Sequence, residues 1–290
     1  METQKKAPAM AAILAAAALW GIIGIWNRRL MAAGLSPLSI VAVRNLGGMV
    51  LLGLFFTVRD RSVFRVERKH WKYFFGTGVL SVGMNSVCYF SCQKFSSLAV
   101  ASVLMYTAPS FVVLFSAILW KEPVTKKKLL ALALTLVGCA CVCGLFSRDA
   151  SVTPIGILLG FASGFFYSLY SIFGRYALAH YGSMTVTVWS FLFAGPASLV
   201  LLRPAEIAGA YGQDPSLWLT TLAMMVFSTA APYILYTWGL ARIEPGRASI
   251  IASFEPVAAA LTGVLVFGEP LELLSILGIL LVLAGVVILR

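Results

Sequence analysis

Two aligned stretches of this chain decide its fold. Residues 101–123 read ASVLMYTAPSFVVLFSAILWKEP, and residues 248–270 read ASIIASFEPVAAALTGVLVFGEP. Both begin with Ala-Ser, carry a proline in the same column and end with Glu-Pro, at a constant offset of 147 residues without gaps. Leucine and alanine match by chance among apolar helices, but proline and glutamate rarely do. The alignment therefore indicates an internal duplication.

The same offset holds across the rest of the chain. The further matching pairs are Arg28 with Arg175, Ser36 with Ser183, Trp71 with Trp218, Ser81 with Ser228, Tyr89 with Tyr236 and Gly138 with Gly285. We therefore expect two repeats, residues 1–148 and residues 149–290.

The composition is that of an integral membrane protein. Of the 290 residues, 60% are hydrophobic and 11% are charged, with a mean hydropathy of +0.92. A soluble domain is nearer half apolar and a quarter charged. Blocks such as 9–26, 73–92 and 97–120 carry no formal charge. About 20 apolar residues cross the hydrocarbon core of a bilayer as a helix, so a soluble fold is excluded.

Hydropathy predicts an all-α membrane protein of ten transmembrane helices. The expected spans are 9–30, 37–58, 73–93, 97–119, 126–146, 154–174, 184–202, 216–238, 247–267 and 271–289. Each repeat holds five spans, an odd number, so the second repeat must be inverted in the bilayer. Inverted repeats recur in secondary transporters, with the substrate site near the midplane. The alternative is a duplication retained only to stabilise a helix bundle.

The charges indicate the orientation. The formal net charge is +11, and the 22 Lys and Arg residues lie mostly in short loops. With the N-terminus inside, 16 fall on the cytoplasmic side, five on the other side, and Arg44 within a helix. The positive-inside rule then predicts a multi-pass protein of the cell (plasma or inner) membrane with both termini cytoplasmic. The basic residues are not clustered as in a nucleic-acid-binding surface, so we expect no nucleic-acid partner. We interpret the apolar segment after Lys5 and Lys6 as a retained first helix, not a cleaved signal peptide.

Motifs for catalysis or cofactors are absent. The sequence holds no GxxxxGK[ST], HExxH or GxSxG pattern. Among the five cysteines, Cys139 and Cys143 share a helix face while Cys141 points away, unlike a convergent zinc site. We expect neither an enzyme nor a cofactor, and transport driven by an ion gradient or by the gradient of the substrate itself.

A run of small residues marks the sixth predicted helix. Gly156, Gly160 and Gly164 form a GxxxGxxxG pattern, which lets membrane helices approach closely. We expect this face to pack inside the monomer, with a homodimer interface as the alternative.

Motifs in both halves resemble a known family. The first half reads Leu19-Trp20-Gly21, then Tyr106-Thr107-Ala108-Pro109 through Trp120-Lys121-Glu122-Pro123, then Leu136-Val137-Gly138; the second reads Phe254-Glu255-Pro256 through Phe267-Gly268-Glu269-Pro270, then Leu283-Ala284-Gly285. In order and spacing the chain resembles the drug/metabolite transporter superfamily, EamA type, although Tyr167-Ser168 replaces the second Trp-Gly. The resemblance implies ten helices, cytoplasmic termini and alternating access around a central cavity. It also implies a small-molecule substrate: similar proteins export amino acids or other metabolites, and some import choline-like or sugar-derived compounds.

Two charges fall well inside predicted helices, several residues from either end, and are the first candidates for substrate contact, because intramembrane charges usually face the bundle interior. Arg44 could bind a substrate carboxylate; alternatively it is a structural ion pair or extends to the interface. Glu255, predicted in mid-helix beside Pro256, could couple protons, bind an amine or bond backbone freed by the proline. Glu122 and Glu269 occur at both equivalent helix ends, so we expect them to cap or anchor and leave them out of the site.

Aromatic and amide side chains supply the remaining site candidates. Asn85 and Tyr89 lie one turn apart on one helix face, and Tyr89 and Tyr236, as a repeat pair, are predicted on opposite walls of one cavity. The residues predicted to complete the lining are Trp20, Tyr106, Tyr167 and Tyr233. Such rings with a carboxylate could hold an ammonium group by cation–π attraction. The alternatives are interfacial aromatic belts or ordinary packing.

Four prolines are predicted inside helices, where each removes a backbone donor. They are Pro109, Pro196, Pro232 and Pro256. The pair Pro109 and Pro256 could bend during gating or form static kinks.

The sequence thus favours a secondary transporter that exports amino acids or similar small polar metabolites by alternating access. One alternative is uptake or efflux of amine or choline-like, sugar-derived or lipophilic drug-like compounds. Another is a non-transporting membrane scaffold subunit.

Overall fold

The computed structural model describes residues 2–146 and 152–289, and every regular element in those ranges is helical. The α-helices are α1 (Glu2–Gly21), α2 (Ile23–Ala32), α3 (Pro37–Arg59), α4 (Trp71–Phe74), α5 (Asn85–Phe95), α6 (Leu98–Met105), α7 (Ala108–Trp120), α8 (Lys126–Val142), α9 (Pro154–Leu178), α10 (Ser183–Ala197), α11 (Pro204–Gln213), α12 (Leu217–Met225), α13 (Ala231–Leu240), α14 (Pro245–Ala252), α15 (Glu255–Phe267) and α16 (Leu273–Ile288). Short 3₁₀ segments lie at Arg61–Phe64, Arg68–His70 and Ser198–Leu201, and π-helical segments at Phe75–Met84 and Val226–Ala230. The expected repeat boundary after residue 148 lies outside the described residues, as do Arg148 and Arg290 of the charge count.

Seven helical stretches within the described ranges are long and apolar enough to cross a membrane. They are Lys6–Ala32, Pro37–Arg59, Leu98–Trp120, Pro154–Leu178, Ser183–Leu201, Leu217–Leu240 and Pro245–Phe267. The three other predicted spans coincide with residues 71–95, with α8 and with α16. Length and composition therefore establish a multi-pass helical membrane protein with seven candidate spans.

The fourth and ninth predicted spans are interrupted at equivalent places. Between α6 and α7 the chain makes a turn at Tyr106 and Thr107, and between α14 and α15 it makes a turn at Ser253 and Phe254. Pro109 and Pro256, predicted inside the fourth and ninth spans, therefore lie just after these interruptions. Each proline occupies the first turn of the second helix, where its missing N–H would have no helical partner anyway.

The two aligned stretches also end with the same backbone geometry. Lys121 and Gly268, 147 residues apart, both have left-handed conformations, with φ of 53° and 67°. The following amides donate to equivalent carbonyls: Glu122 N to Ser116 O at 3.3 Å and Glu269 N to Gly263 O at 3.1 Å. Matching sequence has thus produced matching local structure.

Helices α8 and α16 pack directly against each other through glycine. A Cβ added to Gly138 would lie 2.7 Å from the Gly278 carbonyl oxygen, and one added to Gly278 would lie 2.6 Å from the Gly138 carbonyl oxygen. Backbone cannot yield as a flexible side chain does, so this approach requires glycine on both helices.

The glycine run of α9 faces neighbouring helices of the same chain. A Cβ on Gly160 would meet the Leu104 side chain at 2.4 Å, and one on Gly164 would meet the Leu104 carbonyl oxygen at 2.7 Å. Gly156 lies against Ser96 at the end of α5. The run therefore packs inside the monomer; the homodimer alternative stays a prediction.

A carboxylate outside the spans joins α11 to the start of α3. Glu206 Oε2 accepts hydrogen bonds from Ser36 N at 2.9 Å, Ser36 Oγ at 2.7 Å and Ser39 Oγ at 2.7 Å. These donors favour the ionised form and lower the pKa of Glu206 to about 2. The negative charge also faces the positive end of the α3 dipole.

We expect Glu206→Gln to lower the free energy of unfolding by about 1–3 kcal/mol, because a neutral amide accepts these bonds more weakly. The carboxylate's contribution is present above its ordinary pKa of 4.5 and is lost as the pH falls toward 2. The difference in melting temperature between wild type and variant should therefore shrink on acidification. Arg203→Gln is the control: Arg203 bonds the same carboxylate at 3.1 Å but is exposed, so its loss should cost under about 0.5 kcal/mol. Equal effects of the two variants at neutral pH would contradict this account.

Candidate functional site

A cavity of about 580 Å³ enters the helix bundle from one end. It is within the usual range for small-ligand sites. Its mouth is lined where α2 ends and α3 begins, by Met31 and Pro37, and where α15 ends, by Phe267 and the following Glu269. The cavity can therefore admit a small solute from that end.

Eight of the nine predicted site residues line this cavity. They are Trp20, Arg44, Asn85, Tyr89, Tyr106, Tyr167, Tyr233 and Glu255. The ninth, Tyr236, is 4% exposed and lines an adjoining pocket of about 30 Å³, large enough for one water molecule. Its hydroxyl bonds Ser171 Oγ at 2.7 Å, and its ring packs on Trp20. Tyr89 and Tyr236 are thus not brought to opposite walls of one cavity.

Glu255 is the first residue of α15 rather than a mid-helix residue, because the span is interrupted just before it. Its carboxylate accepts a hydrogen bond from Tyr167 Oη at 3.3 Å. A negative charge in the first turn is stabilised by the helix dipole. Gly21 makes the approach of α1 possible, since a Cβ there would lie 2.8 Å from the Glu255 carbonyl oxygen and 2.5 Å from Ala258 Cβ.

Arg44 supplies the opposite charge from α3. Its Nε is buried without a hydrogen-bond partner. In the described part of the chain, neither Arg44 nor Glu255 takes part in a salt bridge. The other charged residues of the lining, Arg28 and Glu269, bond each other at the mouth. The cavity therefore presents one cation and one anion that form no ion pair with any described side chain.

The remaining predicted residues form a wall of rings and short polar bonds. Trp20 contacts Tyr233 edge-on, with ring centroids 5.2 Å apart. Asn85 accepts a bond from Ser163 at 2.8 Å, while the Tyr89 hydroxyl and Ser102 Oγ are 3.0 Å apart. These bonds hold the side chains in place, so the cavity is largely preformed around the two charges.

The sequence pattern of the EamA-like transporter family matches the chain twice, over residues 7–144 and 154–290. The chain belongs to the EamA-like transporter family. It is a multi-pass membrane transporter of small molecules and not an enzyme. The resemblance to EamA-type transporters, predicted from the paired Pro and Glu-Pro motifs, is confirmed.

Curated relatives of this EamA-like transporter cover nearly all of it. An uncharacterized transporter of Archaeoglobus fulgidus is 31% identical over 96% of this chain and 94% of its own. The uncharacterized inner membrane transporter YicL of Salmonella typhimurium is 26% identical, with 95% and 93% covered. The threonine/homoserine exporter RhtA of Escherichia coli is 29% identical, with 85% and 81% covered.

A solved crystal structure matches the fold of this EamA-like transporter. It has a TM-score of 0.80 over 98% of this chain and 96% of that one, at 19% identity. At that identity the likeness concerns the fold alone.

Sequence reasoning missed two cavity residues of this EamA-like transporter. Asn27 and Gln93 both line the cavity, and Asn27 Oδ1 and Gln93 Nε2 are buried without hydrogen-bond partners. Helical spacing could have found them: Gln93 lies one turn beyond Tyr89, and Asn27 lies two turns beyond Trp20. Glu269, which we had left out of the site, also lines the mouth.

A buried ion cluster lies away from the cavity, at the start of α8. Lys128 is 5% exposed, and its Nζ lies 2.9 Å from Glu244 Oε2 and 3.6 Å from Glu122 Oε2. Glu122 is the repeat equivalent of Glu269, so equivalent glutamates make ion pairs in two different settings.

Metal ligands do not converge within the described ranges. No group of three or more His, Cys, Asp and Glu side chains there could hold an ion, and the five cysteines are free. The two histidines instead stack on each other, with His70 and His180 ring centroids 4.3 Å apart.

Proposed function

We propose that this chain exports zwitterionic amino acids by alternating access. The observation that carries the proposal is the pair of opposite charges, Arg44 and Glu255, in one cavity without ion-pair partners. Charged side chains within a membrane are costly and mark substrate pathways. A ligand with an ammonium group and a carboxylate neutralises both charges at once.

Each end of an amino acid has a complementary partner. The α-ammonium group binds the Glu255 carboxylate, which the Tyr167 hydroxyl already orients. The α-carboxylate binds the Arg44 guanidinium, whose Nε has a free donor. The name of the relative RhtA, a threonine/homoserine exporter, supports the same substrate class, since both compounds are amino acids.

The proposal includes ten transmembrane helices in two inverted repeats, 1–148 and 149–290, in the cell membrane. It is supported by the duplicated helix interruptions and by the matching turns at Lys121 and Gly268. The excess of Lys and Arg in loops of one side supports cytoplasmic termini. In this topology the cavity opens outward, and the Lys128 cluster lies at the closed cytoplasmic end.

Repeat symmetry then suggests the transport cycle. In the inward-open state the mouth would close around the Arg28–Glu269 pair, while the Lys128 cluster would separate. Broken helices that flank a midplane site are a common transporter device. Here the interruptions before α7 and α15 flank the cavity, with Tyr106 and Glu255 in its lining.

The test is ligand binding to the detergent-purified protein, measured by calorimetry with three related compounds. Threonine carries both charges, 1-amino-2-propanol lacks the carboxylate, and 3-hydroxybutyrate lacks the amine. We expect threonine to bind and each analogue to bind at least about tenfold more weakly, a loss of about 1.4 kcal/mol or more. Equal affinity for threonine and the amine would contradict the proposal and favour amine or choline-like cargo held by Glu255 and the aromatic wall. Export is then measured as efflux from proteoliposomes loaded with radiolabelled threonine.

A further inference from the structure

Three residues that line the cavity each have a polar atom that is buried without a hydrogen-bond partner. These atoms are Asn27 Oδ1, Arg44 Nε and Gln93 Nε2. Arg44 binds the α-carboxylate in the proposed function, but neither the α-carboxylate nor the α-ammonium group has been given a bond to Asn27 or Gln93. Because a buried polar atom without a partner is destabilising, Asn27 and Gln93 stand ready to bond something that enters the cavity.

Both amides lie nearer the mouth than Glu255. Gly21 packs on the backbone of Glu255, and Asn27 is six residues further along the same span, about 9 Å toward the mouth. Gln93 lies eight residues beyond Asn85, about 12 Å along α5, and two residues before that helix ends. A ligand bound at Glu255 and Arg44 therefore has the two amides on its mouth side.

Around these two amides, most other polar side chains of the cavity wall already have partners, so they offer few hydrogen bonds to the side chain of a bound amino acid. Arg28 and Glu269 are paired with each other. Tyr89 shares a hydrogen bond with Ser102, and its hydroxyl also lies beside the Gln93 amide. Met31 and Leu98, also at the mouth, are apolar. Among the described residues, the buried polar atoms without a partner on this side of the cavity are therefore Asn27 Oδ1 on α2 and Gln93 Nε2 on α5.

We propose that Asn27 and Gln93 form a side-chain subsite that selects amino acids bearing a hydroxyl or amide group. This inference rests on the proposed function. A hydroxyl group can donate to Asn27 and accept from Gln93, and a carboxamide can do the same. An aliphatic side chain of the same shape leaves the buried Asn27 Oδ1 and Gln93 Nε2 atoms without a partner. Sites built to bond a substrate group discriminate strongly against analogues that lack it.

The experiment compares the affinities for two near-isosteric pairs of amino acids, threonine with valine and glutamine with methionine. Both members of a pair are measured on the same sample of each protein. Affinities are measured by calorimetry for wild type, Asn27→Leu, Gln93→Met and the control Gln213→Met, which replaces an exposed amide that does not line the cavity. The selectivity ratio within a sample does not depend on the fraction of protein that is folded. We expect wild type and Gln213→Met to prefer the polar member of each pair by about tenfold or more. Each amide variant should reduce that ratio at least about threefold, partly through tighter binding of the aliphatic member.

The outcomes separate this inference from the proposed function. Measurable binding of all four amino acids without preference overturns the subsite and leaves the zwitterion site standing. A preference that survives unchanged in both amide variants also overturns it. Failure of wild type to bind any of the four overturns the proposed function and the subsite with it.

Discussion

Glu255→Gln and Arg44→Gln will each remove most of the affinity for a zwitterionic amino acid. Truncating one partner of a buried charge pair costs about 2–5 kcal/mol, so dissociation constants should rise at least about thirtyfold. Glu255→Gln keeps the shape of the side chain and removes its charge, so its loss reports electrostatics and hydrogen bonding at the ammonium end of the ligand. Arg44→Gln removes the charge and also shortens the side chain, so its loss reports the whole guanidinium contact at the carboxylate end.

The ligand analogues make this prediction specific for each end. Arg44→Gln should leave the affinity for 1-amino-2-propanol nearly unchanged, because that ligand has no carboxylate to lose. Glu255→Gln should likewise leave 3-hydroxybutyrate binding nearly unchanged. Glu272→Gln and Arg242→Gln, exposed charges that do not line the cavity, are the matched controls and should bind threonine as wild type does. Equal losses for all three ligands in both variants would instead assign Arg44 and Glu255 a structural role.

Lys128→Met will open the closed end of the bundle. The ammonium group lies between the carboxylates of Glu122 and Glu244, and the lysine side chain is 7% exposed. Glu122 is nearly as buried, with a side chain that is 10% exposed. Removing one partner of a buried ion pair typically costs about 3–5 kcal/mol, because the remaining charge is left unpaired. Glu244 is half-exposed and can be rehydrated, so most of the effect should come from Glu122.

The expected results are a lower melting temperature and a shift toward states open at that end. Access is measured with Ser249→Cys, since Ser249 is buried in α14 beside the small inner pocket. A polar maleimide should label this cysteine faster in Lys128→Met than in the wild-type background, above the labelling of the five native cysteines. Lys128→Arg keeps the charge and should stay protected, as should Lys127→Met, whose lysine is exposed. A stable, unlabelled Lys128→Met protein would show that the cluster does not hold this end closed.

Eight of the nine candidate residues line the cavity, and the sequence could identify them because each clue was local. Arg44 and Glu255 stand out as charges in apolar segments, and that signal needs no neighbours. The aromatic candidates were found through repeat spacing and helix faces, and all but Tyr236 line the cavity. Tyr236 shows the limit of pseudo-symmetry: Tyr89 faces the open end, while its equivalent is packed against Trp20 and bonded to Ser171. A duplicated sequence does not place both copies on the same side of a cavity that opens at one end.

Other features depended on which helix faces meet. Asn27 and Gln93 are ordinary polar residues near helix ends, where amides usually face water. They matter only because α2 and α5 border one cavity. Lys128 is the third of three consecutive lysines at the start of α8, and its burial between Glu122 and Glu244 depends on the packing of α14 against α7 and α8. The rotation of each helix about its axis, which decides which side chains meet, is set by close backbone approaches such as that of Gly138 to Gly278.

The sequence alone determined that this chain is a helical membrane protein with a duplicated core, because hydropathy and repeat spacing are read along the chain. It also determined that one cation and one anion lie within apolar spans. Only the tertiary structure decided that those charges share a cavity without partners, that Glu255 begins a helix, and that two amides lie between it and the mouth. The physical reason is that a residue's neighbours across helices depend on rotation, tilt and interruption. Packing fixes those quantities, and no single segment encodes them.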